Sequence, residues 1–443
     1  MSERLVVIGG VAAGMSAAAK AKRTNPELEV VAFEKSHYVS YGACGLPYFV
    51  AGEVPSVEKL VARTPEQFKK QGITALTRHE VTEVDYAGRQ VTVHALDEGR
   101  TFKMGFDHLV IATGARPVVP PIPGSELQGV FTLRQPEDGL AIVAWLAHAE
   151  RAVIVGAGYV GLEMAEALRR RGLSVAVIEA KDRVLPQADP EISALVNEEL
   201  ERQGVEVHTG VRVEALLGEG RVAGVETDQG RLPADLVLLS VGIRPNVELA
   251  KSFGVELGPT GAIRVDEQLR TNLPAVYAAG DVAESRHLLT GEPYWLPLGD
   301  VANKHGRTAG TVIGGGWAAF KGVVGSAITK IFDIAVAMTG LTEAEARARG
   351  HDVRAVMIKS RDRAHYIPGG HPFYVKLVYE GGSGRLLGAQ IVGHGNDALR
   401  IDAVATLLHR GGTIEDLRAL DLAYAPPFSP VWDPLLVAAN QAK

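Results

Sequence analysis

Two stretches of this chain read alike, and the likeness leaves little freedom in the fold. Leu5-Val6-Val7-Ile8 runs into the loop Gly9-Gly10-Val11-Ala12-Ala13-Gly14 and then the helical run Met15 to Arg23. Ala152-Val153-Ile154-Val155 runs into Gly156-Ala157-Gly158-Tyr159-Val160-Gly161 and then the helical run Leu162 to Arg170. Each is a short apolar strand, a glycine loop and a helix, the order of a nucleotide-binding βαβ unit. An unbroken apolar run suits a strand covered on both faces of a parallel sheet. The free amides at the start of each helix are a seat for a pyrophosphate. The loops begin 147 residues apart, and a repeated unit is stronger evidence than either copy. The repeat predicts two dinucleotides bound by two domains.

The second strand of each unit ends on a carboxylate. Val30-Val31-Ala32-Phe33 leads to Glu34, 20 residues past Gly14, where a carboxylate accepts hydrogen bonds from ribose hydroxyls. Ser174 to Ile178 leads to Glu179, which favours an unphosphorylated ribose and so NAD over NADP. Lys181 and Arg183 lie just beyond and soften that preference. The first loop has Val11 where the full motif has its middle glycine; the second loop is complete.

Six residues past Glu34 begins Ser40-Tyr41-Gly42-Ala43-Cys44-Gly45-Leu46-Pro47-Tyr48, which holds the only cysteine of 443 residues. The glycines suit a loop crowded against a ligand, and Pro47 suits the first turn of a helix over Leu46 to Ala51. Cys44 is therefore expected at a helix N-terminus, where free amides and the dipole favour the thiolate. A thiolate is the form that attacks disulfides. A lone cysteine read without these neighbours is a small buried hydrophobe.

The rest of the chain fits a soluble globular protein of two or three domains. Hydrophobic residues make up 46% and charged residues 22%, and the net charge is −6, which argues against a general nucleic-acid binder. A single cysteine excludes an internal disulfide framework and suits a reducing compartment. The N-terminus lacks a signal-peptide layout and no apolar run is long enough to span a membrane, so the cytoplasm is the expected location. Ser56 to Lys70 reads as one or two helices. Asp107 to Gly114 is a strand and tight turn, and four prolines between Ala115 and Gly124 suggest a domain boundary. Val276-Tyr277-Ala278-Ala279-Gly280-Asp281 is a strand ending in Gly-Asp, and Leu298 to Ile313 is a small-residue helix. From Gly325 the texture changes: Ile328 to Thr339 and Phe373 to Tyr379 have strand character, and Asp397 to Leu408 looks helical.

Together these pieces resemble the two-dinucleotide-binding-domain flavoprotein disulfide reductases, over essentially the whole chain. The resemblance rests on the first glycine loop with Glu34, on Ala112-Thr113-Gly114, on the second glycine loop and on Tyr277 to Asp281. Within that superfamily, Ser40 to Tyr48 looks most like the coenzyme A-disulfide reductases, a branch with one active cysteine and an imperfect first loop. The resemblance implies an α/β fold with two Rossmann-like, glutathione-reductase-like domains and a C-terminal α+β dimerisation domain. It implies FAD held by residues 1–113 and 250–323, NAD(P)H by 114–249, and a homodimer formed through 324–443. The FAD contacts it implies are Gly9, Gly10, Val11, Ala12, Ala13, Gly14, Glu34, Lys35, Ala112, Thr113, Gly114, Gly280 and Asp281. The NAD(P)H contacts are Gly156, Gly158, Tyr159, Val160, Gly161, Glu163 and Glu179, with Tyr159 and Glu163 lining the nicotinamide pocket.

The implied chemistry agrees with the cysteine count. With no second cysteine, Cys44 needs an external thiol to form a disulfide, or it cycles through a sulfenate. Coenzyme A serves as that second sulfur and is able to sit covalently on Cys44. The resemblance places Arg23, Ser40 and, among Lys69 and Lys70, a phosphate contact at Lys70 in its pocket. The dithiol relatives draw their proton from a His-Pro-x-x-x-x-Glu dyad. His371-Pro372 is here followed by Phe373 to Leu377 with no Glu in place, which leaves Tyr366 and Tyr424, implied to reach the partner subunit, as candidates. Ala43 stands where some members have Asn, which keeps CoA disulfide, CoA persulfide and polysulfide open as acceptors. Two competing readings keep the fold. An NADH oxidase or peroxidase would use a Cys44 sulfenate, but its loop histidine is Ala12 here. A ferredoxin or rubredoxin reductase would not need Cys44. No metal is implied.

Overall fold

The computed structural model describes residues 2–443. Its first sheet is parallel and has five strands in the order Val276–Ala278, His108–Ile111, Arg4–Ile8, Glu29–Phe33 and Ile73–Leu76. The second repeats the plan, in the order Glu206–Thr209, Ser174–Glu179, Arg151–Val155, Leu236–Leu239 and Val130–Phe131. In both, the strand that feeds the glycine loop is central. Leu5, Val6, Val7 and Ile154 are fully buried, as expected for strands covered by helices on both faces. The chain leaves the first sheet at Ala115–Pro117 and returns at Ile243–Pro245, and these two segments pair antiparallel.

The third sheet is antiparallel, with the order Ala327–Ile331, Ile334–Gly340, Leu386–His394, Pro372–Glu380 and Val353–Arg361. The strand character at Ile328 to Thr339 is two strands, not one. They form a hairpin turned at Phe332-Asp333, with Phe332 at a left-handed φ of 53°. The helical segment at Asp397 to Leu408 is a short turn followed by the helix Ile401–Arg410. Ser56 to Lys70 holds a 3-10 turn, Val57–Leu60, and a short helix, Pro65–Lys69. No helix among the described residues is long and apolar enough to cross a membrane.

Two contacts set the relative positions of these layers. Helices Ala12–Thr24 and Gly299–Ile313 lie against each other at unusually short range. Gly306, Gly310 and Gly314, spaced one turn apart, face the first helix. A Cβ on Gly306 would come within 2.2 Å of the Ala13 carbonyl oxygen, and one on Gly310 within 2.4 Å of the Ala17 oxygen. Second, the buried Lys376 ammonium of the third sheet meets three carboxylates. Its Nζ is 3.2 Å from Asp189, 2.9 Å from Glu191 and 2.9 Å from Glu343. Asp189 precedes helix Pro190–Arg202 but does not cap it; its carboxylate turns to Lys376 and Gln390. Such a cluster is held by the full set of partners, since any one removed leaves a buried charge unpaired.

Gly310→Ala tests the helix contact. In an exposed helix the change would stabilise by about 1 kcal/mol. Here the new methyl meets backbone on the facing helix, so a net destabilisation of about 1–3 kcal/mol is expected. The midpoint of urea unfolding, compared with wild type, reads the sign.

Candidate active site

The first glycine loop is shaped by close approach rather than by side-chain bonds. Gly9 has φ +104°, and a Cβ there would lie 2.1 Å from the Ala112 oxygen, so the loop presses on Ala112-Thr113-Gly114. A Cβ on Gly14 would lie 1.8 Å from the Gly9 oxygen, so the helix starts directly against the strand end. No side chain caps helix Ala12–Thr24, and its first amides stay free toward the loop. Gly156 and Gly161 repeat the arrangement: φ is again +104°, and the Cβ approaches would be 2.3 Å to Ser240 and 2.0 Å to Gly156. No side chain caps helix Tyr159–Arg170 either, and a Cβ on Gly158 would meet nothing within 4 Å. Packing within the protein does not explain that glycine. Open space before an uncapped helix is what an approaching pyrophosphate requires.

The two strand-end carboxylates do the same second task. Glu34 accepts from the Gly10 amide at 2.7 Å and the Ser36 amide at 2.9 Å. Glu179 accepts from Ala157 and Lys181, both at 2.9 Å. Each ties its strand end to its glycine loop and keeps further lone pairs for a ribose. Burial still raises the Glu34 pKa, since its two amide bonds offset only part of the desolvation.

The cysteine segment hangs from the first loop. Ser40, left-handed at φ 51°, donates its amide to Gly10 O at 2.8 Å. Gly42 donates to Leu60 O at 2.9 Å, and a Cβ on Gly45 would strike the Leu60 side chain at 2.4 Å. Cys44 sits in a 3-10 turn, Ala43–Gly45, that runs into helix Leu46–Ala51. Helix Tyr159–Arg170 of the second unit grips that helix from the far side: Arg171 donates to Val50 O at 2.6 Å, and Arg170 pairs with Glu53 at 3.1 Å.

Electrostatics at Cys44 run opposite to the expectation of a favoured thiolate. The thiol is exposed, yet its pKa is raised, first by desolvation and next by the Glu163 carboxylate. Arg134 lowers it only in part. The turn and the single short helix behind it are too weak to outweigh desolvation and a neighbouring anion together. Glu163 accepts from Thr329 Oγ1 at 3.0 Å and is itself pushed up to about 7 by burial. One turn on, Glu166 pairs with Lys330 and accepts from the Phe332 amide at 2.7 Å. The edge of the third sheet therefore fixes the helix that carries Tyr159 and Glu163. Tyr159 bonds to Gln187, and its phenol is raised to about 12.

Asp281 is placed at the end of the first sheet beside Gly280, which has φ +81°. Its carboxylate pairs with Arg134 at 2.5 Å, and Arg134 also lies near Gly114 and acts on Tyr41 and Cys44. Arg134 has no motif around it and is 147 residues from Asp281, so nothing in the sequence marks it. Lys70 lines an open groove of about 460 Å3 with Ala62, Arg63, Gln67 and Gln71. Ser40 borders it, since Ala62 donates to Ser40 O at 2.8 Å. Arg23 is exposed in the last turn of its helix, beside Lys22, whose chain lies against Gly72. Lys35 follows Glu34, with its carbonyl accepting from Arg78. Tyr366 and Tyr424 are brought together: the Tyr366 hydroxyl pushes the Tyr424 phenol up, and both are exposed, as are Phe428 and Trp432.

Comparison with known proteins gives consistent matches. Residues 3–306 match the family described as pyridine nucleotide-disulphide oxidoreductase, and residues 326–435 match its dimerisation domain. The chain is 45% identical over 452 residues to the NAD(P)H coenzyme A polysulfide/persulfide reductase of Pyrococcus horikoshii, covering 100% of this chain and 99% of that one. It is 37% identical over 443 residues to an NADH oxidase of Methanocaldococcus jannaschii, covering 99% and 98%. An NAD-dependent persulfide reductase from A. fulgidus superposes with a TM-score of 0.96 at 44% identity, over 99% of this chain and 82% of that one.

Glu163→Gln removes the anion that raises the Cys44 thiol pKa. The variant's Cys44 is expected to alkylate with iodoacetamide several-fold faster than wild type at pH 8, where Glu163 is charged, and at nearly the same rate at pH 5. Stability should follow the same sign. The folded pKa of Glu163 lies above the 4.5 of an ordinary Glu, so wild type loses stability relative to Glu163→Gln as pH rises from 4.5 to about 7. Thermal midpoints across that range read it.

Proposed function

Since the chain belongs to the pyridine nucleotide-disulphide oxidoreductase family, we propose that it is an FAD-dependent NAD(P)H reductase of coenzyme A-linked sulfur working through Cys44. The observation that carries this reading is the one cysteine of the chain, exposed near Glu163 and hung by Ser40 from the first glycine loop. The relatives' named activities, on coenzyme A polysulfide/persulfide for one and on persulfide for the other, support it. Residues 1–113 and 250–323 hold FAD, residues 114–249 hold NAD(P)H, and residues 324–443 form the dimer. The return of Val276–Ala278 to the first sheet and the pairing of Ala115–Pro117 with Ile243–Pro245 support that division.

FAD, when bound, accepts hydride from NAD(P)H and passes electrons to the sulfur at Cys44. The chain's own residues do the rest. The uncapped helix starts at Ala12 and Tyr159 seat the two pyrophosphates, and Glu34, Lys35, Glu179 and Asp281 meet the sugar hydroxyls and ribityl chain. Tyr159 and Glu163 line the nicotinamide pocket. Cys44 attacks CoA disulfide, forms the Cys44–S–S–CoA bond and expels one CoA thiolate. Arg23, Ser40 and Lys70 orient the CoA around the groove at Arg63, and Tyr366 and Tyr424 of the dimer supply the proton the thiolate takes. Two electrons then cleave the mixed disulfide and return Cys44 and a second CoA thiol. A reducing cytoplasm suits this cycle, because it keeps Cys44 reduced between turnovers.

Anaerobic turnover with NADH separates the acceptors. CoA disulfide, CoA persulfide and polysulfide are compared in wild type and Cys44→Ser. Loss of roughly 10³-fold in the variant is expected with a CoA-linked acceptor, as for removal of a nucleophile. Activity with polysulfide alone would assign sulfur reduction. Full activity of Cys44→Ser with every acceptor, or turnover with oxygen alone, would overturn the reading in favour of an electron-transfer reductase or an oxidase.

A further inference from the structure

His305 lies on helix Gly299–Ile313, is 1% exposed, and has no charged side chain bonded to it. Its Nδ1 accepts from the Gly280 amide at 3.3 Å, and its Nε2 is 3.2 Å from Ser285 Oγ. A nitrogen that accepts from an amide carries no proton, so the ring proton is on Nε2 and donates to the serine. The imidazole is neutral with one defined tautomer. The Phe320 ring meets it edge-on at 4.6 Å and closes the site to water.

The amide it holds belongs to a turn with little room. Gly280 has φ +81°, and a Cβ there would lie 2.7 Å from Ala13 and 3.5 Å from Ala302. The Gly280 oxygen accepts from Ala283 at 2.9 Å, and the Asp281 oxygen accepts from the Trp295 indole at 2.8 Å. Only His305 takes the Gly280 N–H. That N–H anchors the turn from which Asp281 projects, while the Asp281 carboxylate itself pairs with Arg134, and buried N–H groups without acceptors are costly enough to reorient a turn.

We propose that His305 is the positioning residue of the flavin nucleotide site: through Gly280 it fixes the turn that aims Asp281 at the ribityl chain. The proposal rests on the assignment of FAD to this sheet. His305 touches neither cofactor nor substrate, and no sequence motif singles it out. A purely space-filling histidine would not need an acceptor at Nδ1, and this sets the test. His305→Asn keeps an acceptor close to the Nδ1 position. His305→Gln keeps a polar group that reaches toward Ser285 and leaves the Gly280 N–H unmatched. His305→Leu keeps apolar volume only.

The flavin is removed from purified holoenzyme and rebound, with the dissociation constant read from quenching of FAD fluorescence. His305→Leu and His305→Gln are each expected to weaken FAD binding about tenfold, the scale of one buried hydrogen bond, and to shift the bound flavin's visible spectrum. His305→Asn is expected to stay within about threefold of wild type. Should Leu fail to fold, the Gln and Asn pair carries the comparison. Equal FAD affinity in Gln and wild type, or equal weakening in Asn and Gln, would overturn the positioning role. Absence of FAD from the wild-type protein would instead overturn the flavin assignment itself.

Discussion

The close packing of helix Ala12–Thr24 on helix Gly299–Ile313 is the constraint from which the site follows. Backbone meets backbone at Gly306, Gly310 and Gly314, with approaches that a single methyl would block. Small residues at one-turn spacing allow that approach because they leave no side chain between the helix surfaces. The uncapped starts of both helices then lie beside the ends of their strands, at Gly9 and at Gly280. The same contact holds Gly280 against Ala13 and brings His305 under its amide. A side chain in this seam would move two helix ends and a turn at once, because packed interiors do not deform piecemeal.

The two glycine loops show what duplication keeps and what it releases. Gly9 and Gly156 share a φ of +104°, and each crowds a carbonyl of a neighbouring strand end. Glu34 and Glu179 each bind the next amide of their loop. These are demands of the strand–loop–helix geometry, and they hold in both copies. The copies part at the third loop position. Gly158 faces open space, while Val11 stands at the start of the other helix. The anchor beyond the loop is kept as well: Gly10 O accepts from Ser40 at 2.8 Å and Ala157 O from Leu185 at 2.9 Å, both residues left-handed, but only in the first copy does the anchored segment carry the cysteine.

The parts of the fold legible in the sequence were those whose physics is local. An apolar strand, a glycine needing positive φ and a helix start lie within a dozen residues of each other, so their spacing alone revealed both parallel sheets and the helix Leu46–Ala51. The strand character over Ile328 to Thr339 is legible, but the hairpin turn inside it is not, because that turn uses no glycine and Phe332 takes the left-handed conformation in its place. The site was legible at Cys44, Glu34, Glu179 and Gly280-Asp281. It was not legible at Arg134, His305, Glu166 or Lys376. Their partners lie 147 residues away for Arg134 and 164 for the Glu166–Lys330 pair. Nothing local announces such a contact, because a buried polar side chain is matched by whichever element the tertiary fold brings beside it. The expectation of a favoured thiolate failed for the same reason. It weighed the helix behind Cys44, and what raises the thiol is first burial and then Glu163, a charge from another unit.

That reversal suits a single-cysteine reaction. A dithiol reductase gains from a depressed pKa because its two sulfurs exchange with each other. Cys44 has no such partner in the chain, so any disulfide at Cys44 takes its second sulfur from another molecule. A thiol with a raised pKa is the stronger nucleophile once it ionises, and the poorer leaving group in any disulfide it forms. In the proposed Cys44–S–S–CoA bond the raised pKa makes Cys44 a poorer leaving group than an unperturbed cysteine would be. Glu163, with a pKa near 7, sets how strongly this holds: its carboxylate raises the thiol pKa, and a proton on it relieves the thiol. Ionisation of the one cysteine is thereby coupled to the protonation of a residue held by Thr329 of the third sheet and carried by a helix of the second, so all three parts of the fold meet at one sulfur.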